Sequence, residues 1–275
     1  MLKHALIILG FIFAAVSGCL FYGFFIEPKR LVVREVSIPA NIRAPLKLAF
    51  FADLHAGDGT VGRDSVSEVR DAIDGFDPDL VLFAGDFIDG HEPAGRRSSA
   101  ERQRLAKAVS PLKDLSVPNG RFAVLGNHDH WYGETDSTRL VEELGFELLE
   151  NTVSHVGELC IAGLSDEWET RPDLDTLSLC REGTYRLVLA HNPDTILSLR
   201  EPFDLALAGH THGGQINLPL IGRAVTSTRA GKRHAYGLSS TRNGPMFVTA
   251  GIGTSILPAR FRAPPEVVLI ELIPD

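Results

Sequence analysis

The sequence predicts an α/β protein, two packed sheets with helices outside, behind one apolar N-terminal helix. Three observations lead there. Between Lys47 and Gly209, short apolar runs end one after another in polar, glycine-marked corners, with amphipathic stretches between them. Beyond Gly209 the chain is strand-rich with little helix. Ahead of all this, residues 5–26 contain no charged side chain.

A helix rises about 1.5 Å per residue, so the N-terminal run is long enough for the roughly 30 Å hydrocarbon core of a bilayer. A cleaved signal peptide has a shorter apolar region, whereas residues 20–26 continue this one. Val16-Ser17-Gly18-Cys19 resembles a lipobox, yet Leu20-Phe21-Tyr22 stays apolar where lipoproteins turn polar. The reading is a membrane anchor over residues 1–30 and one folded domain over residues 31–275. Lys3 lies on one side of the apolar run and Lys29, Arg30, Arg34 and Arg43 on the other. Because an excess of Lys and Arg is retained inside, the expectation is a single-pass protein of a bacterial inner membrane with its folded domain in the cytoplasm.

Within that domain, residues 47–52, 80–84, 121–125, 187–190 and 204–208 read as buried strands. Helices are expected over 63–75, 98–115, 137–144 and 194–199. Ser98 and Glu101 form a capping pattern at the second of these. Further strands are expected near 214–217, 234–240, 246–250 and 266–272.

Each of the five strands runs directly into polar groups: Asp53-Leu54-His55, Gly85-Asp86, Gly126-Asn127-His128-Asp129, His191, and Gly209-His210-Thr211-His212. Taken singly, these are weak signals, since Gly-Asp after a strand is ordinary turn chemistry. Together they take up five of the ten histidines and spell a site for divalent metals, which carboxylate, imidazole and amide oxygen hold in common. Open α/β sheets bind ligands at the carboxyl ends of their strands, where all five motifs lie. Glycines 85, 126 and 209 would let the backbone turn sharply there. Two ions about 3.5–4 Å apart activate water and clamp both oxygens of a phosphoryl transfer.

The ordered set resembles the calcineurin-like metallophosphoesterase superfamily, with its pattern D-x-H, G-D, G-N-H-D/E, H, G-H-x-H. The resemblance implies a four-layer αββα sandwich of two mixed sheets. It implies that Asp53, His55, Asp86 and His212 bind one metal and Asp86, Asn127, His191 and His210 the other. His128 would protonate the leaving oxygen, with Asp129 orienting its ring. The mixed donor set makes manganese the first expectation, with iron or zinc as alternatives.

A charge of −8 argues against a nucleic-acid partner. Cys160 and Cys180, the sole cysteines beyond the anchor, do not read as a secreted disulfide framework, which favours a reducing compartment. His4, His91, His130, His155 and His234 lie outside the motifs. His130 and Trp131 follow the third motif closely enough to line a pocket, although an exposed aromatic loop explains them as well. Arg223, Arg229, Lys232 and Arg233 crowd one loop, and with Arg260 and Arg262 they raise the choice between a phosphate contact and a solvated surface.

Residues 31–275 further resemble the membrane-associated YaeI/YkuE-type branch, through Gly85-Asp86-Phe87-Ile88-Asp89-Gly90, the run from Gly209 to Gln215, and the tail from Gly251 to Glu266. Some relatives in that branch hydrolyse UDP-2,3-diacylglucosamine during lipid A synthesis. The resemblance therefore implies a phosphodiesterase or pyrophosphatase acting on a lipid-linked phosphoester, with a generic phosphodiesterase or phosphomonoesterase on another envelope substrate as the alternative. Ala56 and His130 stand where many relatives have leucine and tyrosine.

Overall fold

The structure, a computed structural model, describes residues 2–57, 60–223, 225–229 and 231–275. A first six-stranded sheet contains β1 (Val32–Ala40), β2 (Leu46–Phe51), β3 (Leu80–Ala84), β4 (Arg121–Val124) and β5 (Glu147–Leu148). A second contains β6 (Thr152–Val156), β7 (Leu159–Leu164), β8 (Tyr185–Ala190) and β9 (Leu205–Ala208). The two-residue strands β10 (Asn217–Leu218) and β11 (Gly222–Arg223) form a separate ribbon. The chain then returns to the second sheet with β12 (Gly237–Ser240) and β13 (Pro245–Val248), and to the first with β14 (Glu266–Pro274).

Strand order is β1-β14-β2-β3-β4-β5 in the first sheet and β12-β13-β9-β8-β7-β6 in the second. Both are mixed. Strands β2 to β5 run parallel, as do β7, β8, β9 and β13, while β14 pairs antiparallel with β2 and β6 with β7. The parallel strands are buried on both faces, which explains why they read as continuous apolar runs rather than alternating ones. Their period of two still sorts the residues into layers. Leu48, Phe50, Leu80 and Leu82 face Leu187, Leu189, Leu205 and Leu207 between the sheets.

On the outside of the first sheet, Phe51, Val81 and Phe83 pack under α2 (Arg63–Phe76), α3 (Ser99–Val109) and α4 (Asn127–Glu143). Val66, Val69 and Ile73 place the apolar stripe of α2 at helical spacing. The outer layer of the second sheet is thinner. It consists of α5 (Pro193–Ser198) and a 3₁₀ turn, Thr176–Leu179, over Val188, Ala190 and Ala206. The four-layer αββα sandwich is thus present.

The departures from expectation are local. Ser98 caps α3 by accepting from the Glu101 N–H, with the Glu101 carboxylate returning to the Ser98 N–H, but the helix stops at Val109 because Pro111 forces a 3₁₀ turn. Helix α4 starts ten residues earlier than expected, at Asn127 rather than residue 137, because Gly133 breaks its helical backbone (φ 134°) and hides the first turn from periodicity. The expected strand over 214–217 is shifted: Gly214 closes a 3₁₀ turn, His212–Gly214, Ile216 makes a single bridge to Phe261, and the strand proper is β10 from Asn217. Strands β1, β6 and β7 and the two-residue strands β5 and β11 lie outside the expected set; β1 alternates exposed and partly buried residues over its first half and includes charged Arg34 and Glu35.

The reading of the cysteines needs correction. Cys160 on β7 and Cys180 after the 3₁₀ turn are joined as a disulfide with Cα atoms 5.7 Å apart, since β7 and that turn pack against one another in the outer core.

At the N-terminus, α1 (Leu2–Phe21) runs on through a π turn, Tyr22–Ile26, and a 3₁₀ turn, Glu27–Lys29. This 28-residue run is long and apolar enough to cross a membrane, and α1 has no buried residue.

Glu266 opens β14 and ties the far edge of the first sheet to the loop behind the motifs. Its buried carboxylate accepts from Arg34 Nε (2.9 Å), Tyr236 Oη (2.9 Å), Thr249 Oγ1 (3.0 Å) and the Ala250 N–H (2.9 Å). A Glu266→Leu change orphans the Thr249, Ala250 and Tyr236 donors, so a loss of roughly 3 kcal/mol is expected. Chemical denaturation of the variant beside the parent checks this.

Candidate metal centre

The five motif strands come from both sheets, and their carboxyl ends meet at one edge of the sandwich. Asp53, His55, Asp86, Asn127, His191, His210 and His212 are all buried there, with none more than 6% exposed. Among the described residues, four groups of side chains could each hold an ion: Asp53, His55 and His212; His55, Asp86 and His128; Asp53, Asp86 and His191; and, at the rim, Asp89, His91 and His128.

Asp86 sits between the halves. Its Oδ2 lies 3.4 Å from His55 Nε2 and 3.3 Å from His191 Nε2, while Oδ1 accepts the His128 backbone N–H at 2.9 Å. On one side, the Nε2 atoms of His55 and His212 approach to 3.0 Å. On the other, His191 Nε2 is 3.1 Å from Asn127 Oδ1 and 3.0 Å from His210 Nδ1. Asp53 accepts the His210 N–H with both oxygens, at 2.9 and 3.1 Å.

The outward ring atoms fix which nitrogen is free. His191 Nδ1 faces the Ala84 carbonyl at 2.8 Å and His210 Nε2 faces the Ser227 carbonyl at 2.9 Å. Each can only donate there, which turns His191 Nε2 and His210 Nδ1 inward, the orientation a ligating histidine requires.

Electrostatics favour neutral rings at three of the four motif histidines that face one another here. Burial, and then the neighbouring cationic groups, push His55 and His210 down to about 3 and His212 well below the usual range, so these rings are neutral. Burial pushes the Asp86 carboxyl up, but His191, His128 and His55 overrule it and hold it well below the ordinary carboxylate range. Against desolvation, Asp86 and Asp53 push His191 up to about 10, while burial lifts Asp53 to about 7. Three neutral imidazoles, one firm anion and a fourth imidazole, His191, whose extra proton a bound cation would displace, form a donor set that fits divalent cations.

The backbone is bent to achieve this. Asp53, His55, Asp86, His210 and His212 all have positive φ, between 46° and 67°, a conformation that costs each roughly 1–3 kcal/mol. Of the three marked glycines, only Gly85 (φ 82°) supplies a sharp turn. Gly126 and Gly209 are required for space: a Cβ at Gly126 would strike the Asp86 carboxylate, and one at Gly209 would meet Ala52 Cβ at 2.6 Å.

His128 stands at the start of α4, 5% exposed, with Nδ1 on the Asp89 carbonyl and its ring packed edge-on against His55. The expected orienting role of Asp129 is not what the geometry gives. Its carboxylate caps α4 by accepting the Gly126 N–H at 2.9 Å and also accepts the Asp86 and Ile88 N–H groups at 2.8 and 3.2 Å. Asp129 therefore holds the Asp86 turn, and the Asp89 carbonyl orients His128.

The rings open onto a cleft of about 400 Å³. Trp131 lines it, as do His91 and Trp168, which sequence reasoning passed over. His91 packs edge-on to His128, ring centroids 4.7 Å apart, and only its position five residues after Asp86 could have flagged it. Trp168 packs edge-on to His210 from a loop of the second sheet, with no motif to announce it. The basic residues divide. Arg260 is fully buried and donates to the carbonyls of Gly253, Ala263 and Ala250, bracing the loops behind His212. Arg223, Arg229 and Lys232 bind Gly213, Glu167 and Ile221 respectively, while Arg233 and Arg262 are exposed.

Residues 46–214 match the family model described as calcineurin-like phosphoesterase. The metallophosphoesterase YkuE of Bacillus subtilis is 31% identical over 91% of this chain and 88% of its own. The phosphodiesterase YaeI of Escherichia coli is 31% identical over 94% of both chains, and a metallophosphoesterase of Helicobacter pylori is 29% identical over 97% of this chain and 70% of its own. With its buried ligand clusters set on a two-sheet αββα sandwich, this chain belongs to the calcineurin-like metallophosphoesterases and is a phosphoester hydrolase of the YaeI/YkuE-type branch.

Proposed function

We propose that the chain is a two-metal phosphodiesterase or pyrophosphatase whose substrate is held in a membrane. The observation that carries this is the position of Asp86 Oδ2, 3.4 Å from His55 and 3.3 Å from His191, where one carboxylate oxygen can be shared by two cations. Asp53, His55, Asp86 and His212 would hold one ion, and Asp86, Asn127, His191 and His210 the other. Bound ions supply an acidified water and neutralise charge on the phosphoryl group. Manganese is the metal we favour for this mixed donor set, ahead of iron or zinc.

The protein's own part is positioning and proton transfer. With Nδ1–H donated to the Asp89 carbonyl, His128 presents Nε2 to the cleft, where its proton passes to the leaving oxygen. Asp129 acts one step back, by keeping the Asp86 turn in place. A helix able to cross a membrane fits a substrate that cannot leave one, because tethering raises the effective concentration of two partners confined to one surface. The substrate we put forward is UDP-2,3-diacylglucosamine, cleaved by a domain on the cytoplasmic face as a step of lipid A synthesis.

The Cys160–Cys180 disulfide favours a second reading. Disulfides persist in oxidising compartments, so the domain would lie on the outer face and act on a different envelope phosphodiester.

His128→Ala is expected to retain its metal and to slow turnover roughly 10²–10⁴-fold on substrates with poor leaving groups. Asp86→Ala is expected to lose metal outright and Asp129→Asn to lose part of it; elemental analysis beside kinetics checks all three, and equal metal loss in His128→Ala would overturn its role. Purified full-length protein with manganese is expected to release UMP from UDP-2,3-diacylglucosamine faster than it hydrolyses bis-p-nitrophenyl phosphate. Hydrolysis of the soluble diester alone would retain the metal chemistry and favour the second reading.

A further inference from the structure

The cleft mouth carries more exposed aliphatic surface than a soluble enzyme needs. Leu220 is fully exposed, Ile256 is 89% exposed, and Ile221, Val225 and Leu257 are also exposed. These residues lie on two loops, one around β10 and β11 and one between Gly253 and Phe261. Val225, Ile256 and Leu257 line the cleft itself.

The two loops are one unit, and α1 is fastened to it. Gln215 Nε2 donates to the Ser255 and Leu257 carbonyls, the Ser255 N–H returns to Gln215 Oε1 at 2.9 Å, and the Asn217 N–H reaches the Phe261 carbonyl at 2.8 Å. The Arg260 N–H donates to the Gly23 carbonyl at 2.9 Å, the Ala263 N–H to Glu27 Oε1 at 2.7 Å, and Tyr22 meets Phe261 edge-on. Ala15, Gly18 and Cys19, higher on α1, border the same space as Phe261, Arg262 and Pro264. Thus the helix does not end in a loose tether. Its last turns run alongside the tail of the loop that carries Ile256 and Leu257.

We infer that these two loops dock on the lipid bilayer itself, so that the catalytic cleft opens against the membrane surface rather than toward bulk water. The occupant follows from the junction. If α1 spans the bilayer, as proposed above, the hydrogen-bonded joint at Gly23 and Glu27 fixes the loop that carries Ile256 and Leu257 to the end of the span, at the level of the headgroups. Exposed Lys29, Arg30, Arg233 and Arg262 near this face suit anionic headgroups, while the aliphatic side chains enter the boundary below them. Substrate could then pass into the cleft without leaving the lipid phase.

The chain supplies its own probes, because its two tryptophans, Trp131 and Trp168, both line the cleft. The full-length protein would be reconstituted into vesicles of phosphatidylethanolamine and phosphatidylglycerol, with and without lipids carrying a nitroxide near the headgroup. Nitroxide lipids are expected to quench the tryptophans of the parent protein. The double variant Leu220→Glu, Ile221→Glu is expected to lose that quenching while hydrolysing bis-p-nitrophenyl phosphate at the parent rate. Absence of quenching in protein that floats with vesicles would overturn the inference, as would quenching undiminished in the variant. Protein that fails to float would overturn the inference together with the spanning helix. Quenching without any diester hydrolysis would sink the enzymatic reading and leave the docking face standing.

Discussion

Asp86 binds the two halves of the site to one another. Its Oδ1 accepts the first turn of α4, its Oδ2 faces a histidine from each sheet, and its own N–H is held by Asp129. A carboxylate in that position stays ionised only because imidazoles surround it, and those imidazoles are placed only because the strands beneath them are in register. If the two sheets shifted against each other, the histidines of the second sheet would leave the carboxylates of the first.

The interlayer core prevents that shift. Leu80 and Leu82 on one sheet and Leu187, Leu189, Leu205 and Leu207 on the other hold the strand ends level. Against this rigid floor, five site residues can adopt left-handed backbone that no isolated loop would sustain. The same logic explains Arg260 and Glu266. Neither reaches the cleft, yet each uses buried hydrogen bonds to fix the loop from Thr249 to Ala263, whose Gly251 lies so close to Asp53 that a Cβ would meet its carboxylate at 2.5 Å.

Much of this was legible in the chain. Parallel strands buried on both faces announce themselves as apolar runs, and each of the five led to a residue that the structure brings into the site. What escaped were features without periodicity or spacing. Gly133 concealed the first turn of α4, so Asn127 and His128 read as loop residues. The family resemblance implied that Asp129 orients His128, but helix geometry points its carboxylate back to the capping N–H groups instead. Trp168 and His91 reach the cleft only through the fold. Two cysteines 20 residues apart gave no hint of pairing until β7 and a 3₁₀ turn were packed together.

The central claim is that this pocket holds two ions with Asp86 between them. Diffraction from crystals grown with manganese, recorded on either side of the manganese absorption edge, tests it most directly. Two anomalous peaks about 3.5–4 Å apart are predicted, one against Asp53, His55 and His212 and the other against Asn127, His191 and His210. A single peak, or a peak held by Asp89, His91 and His128 instead, would contradict the account.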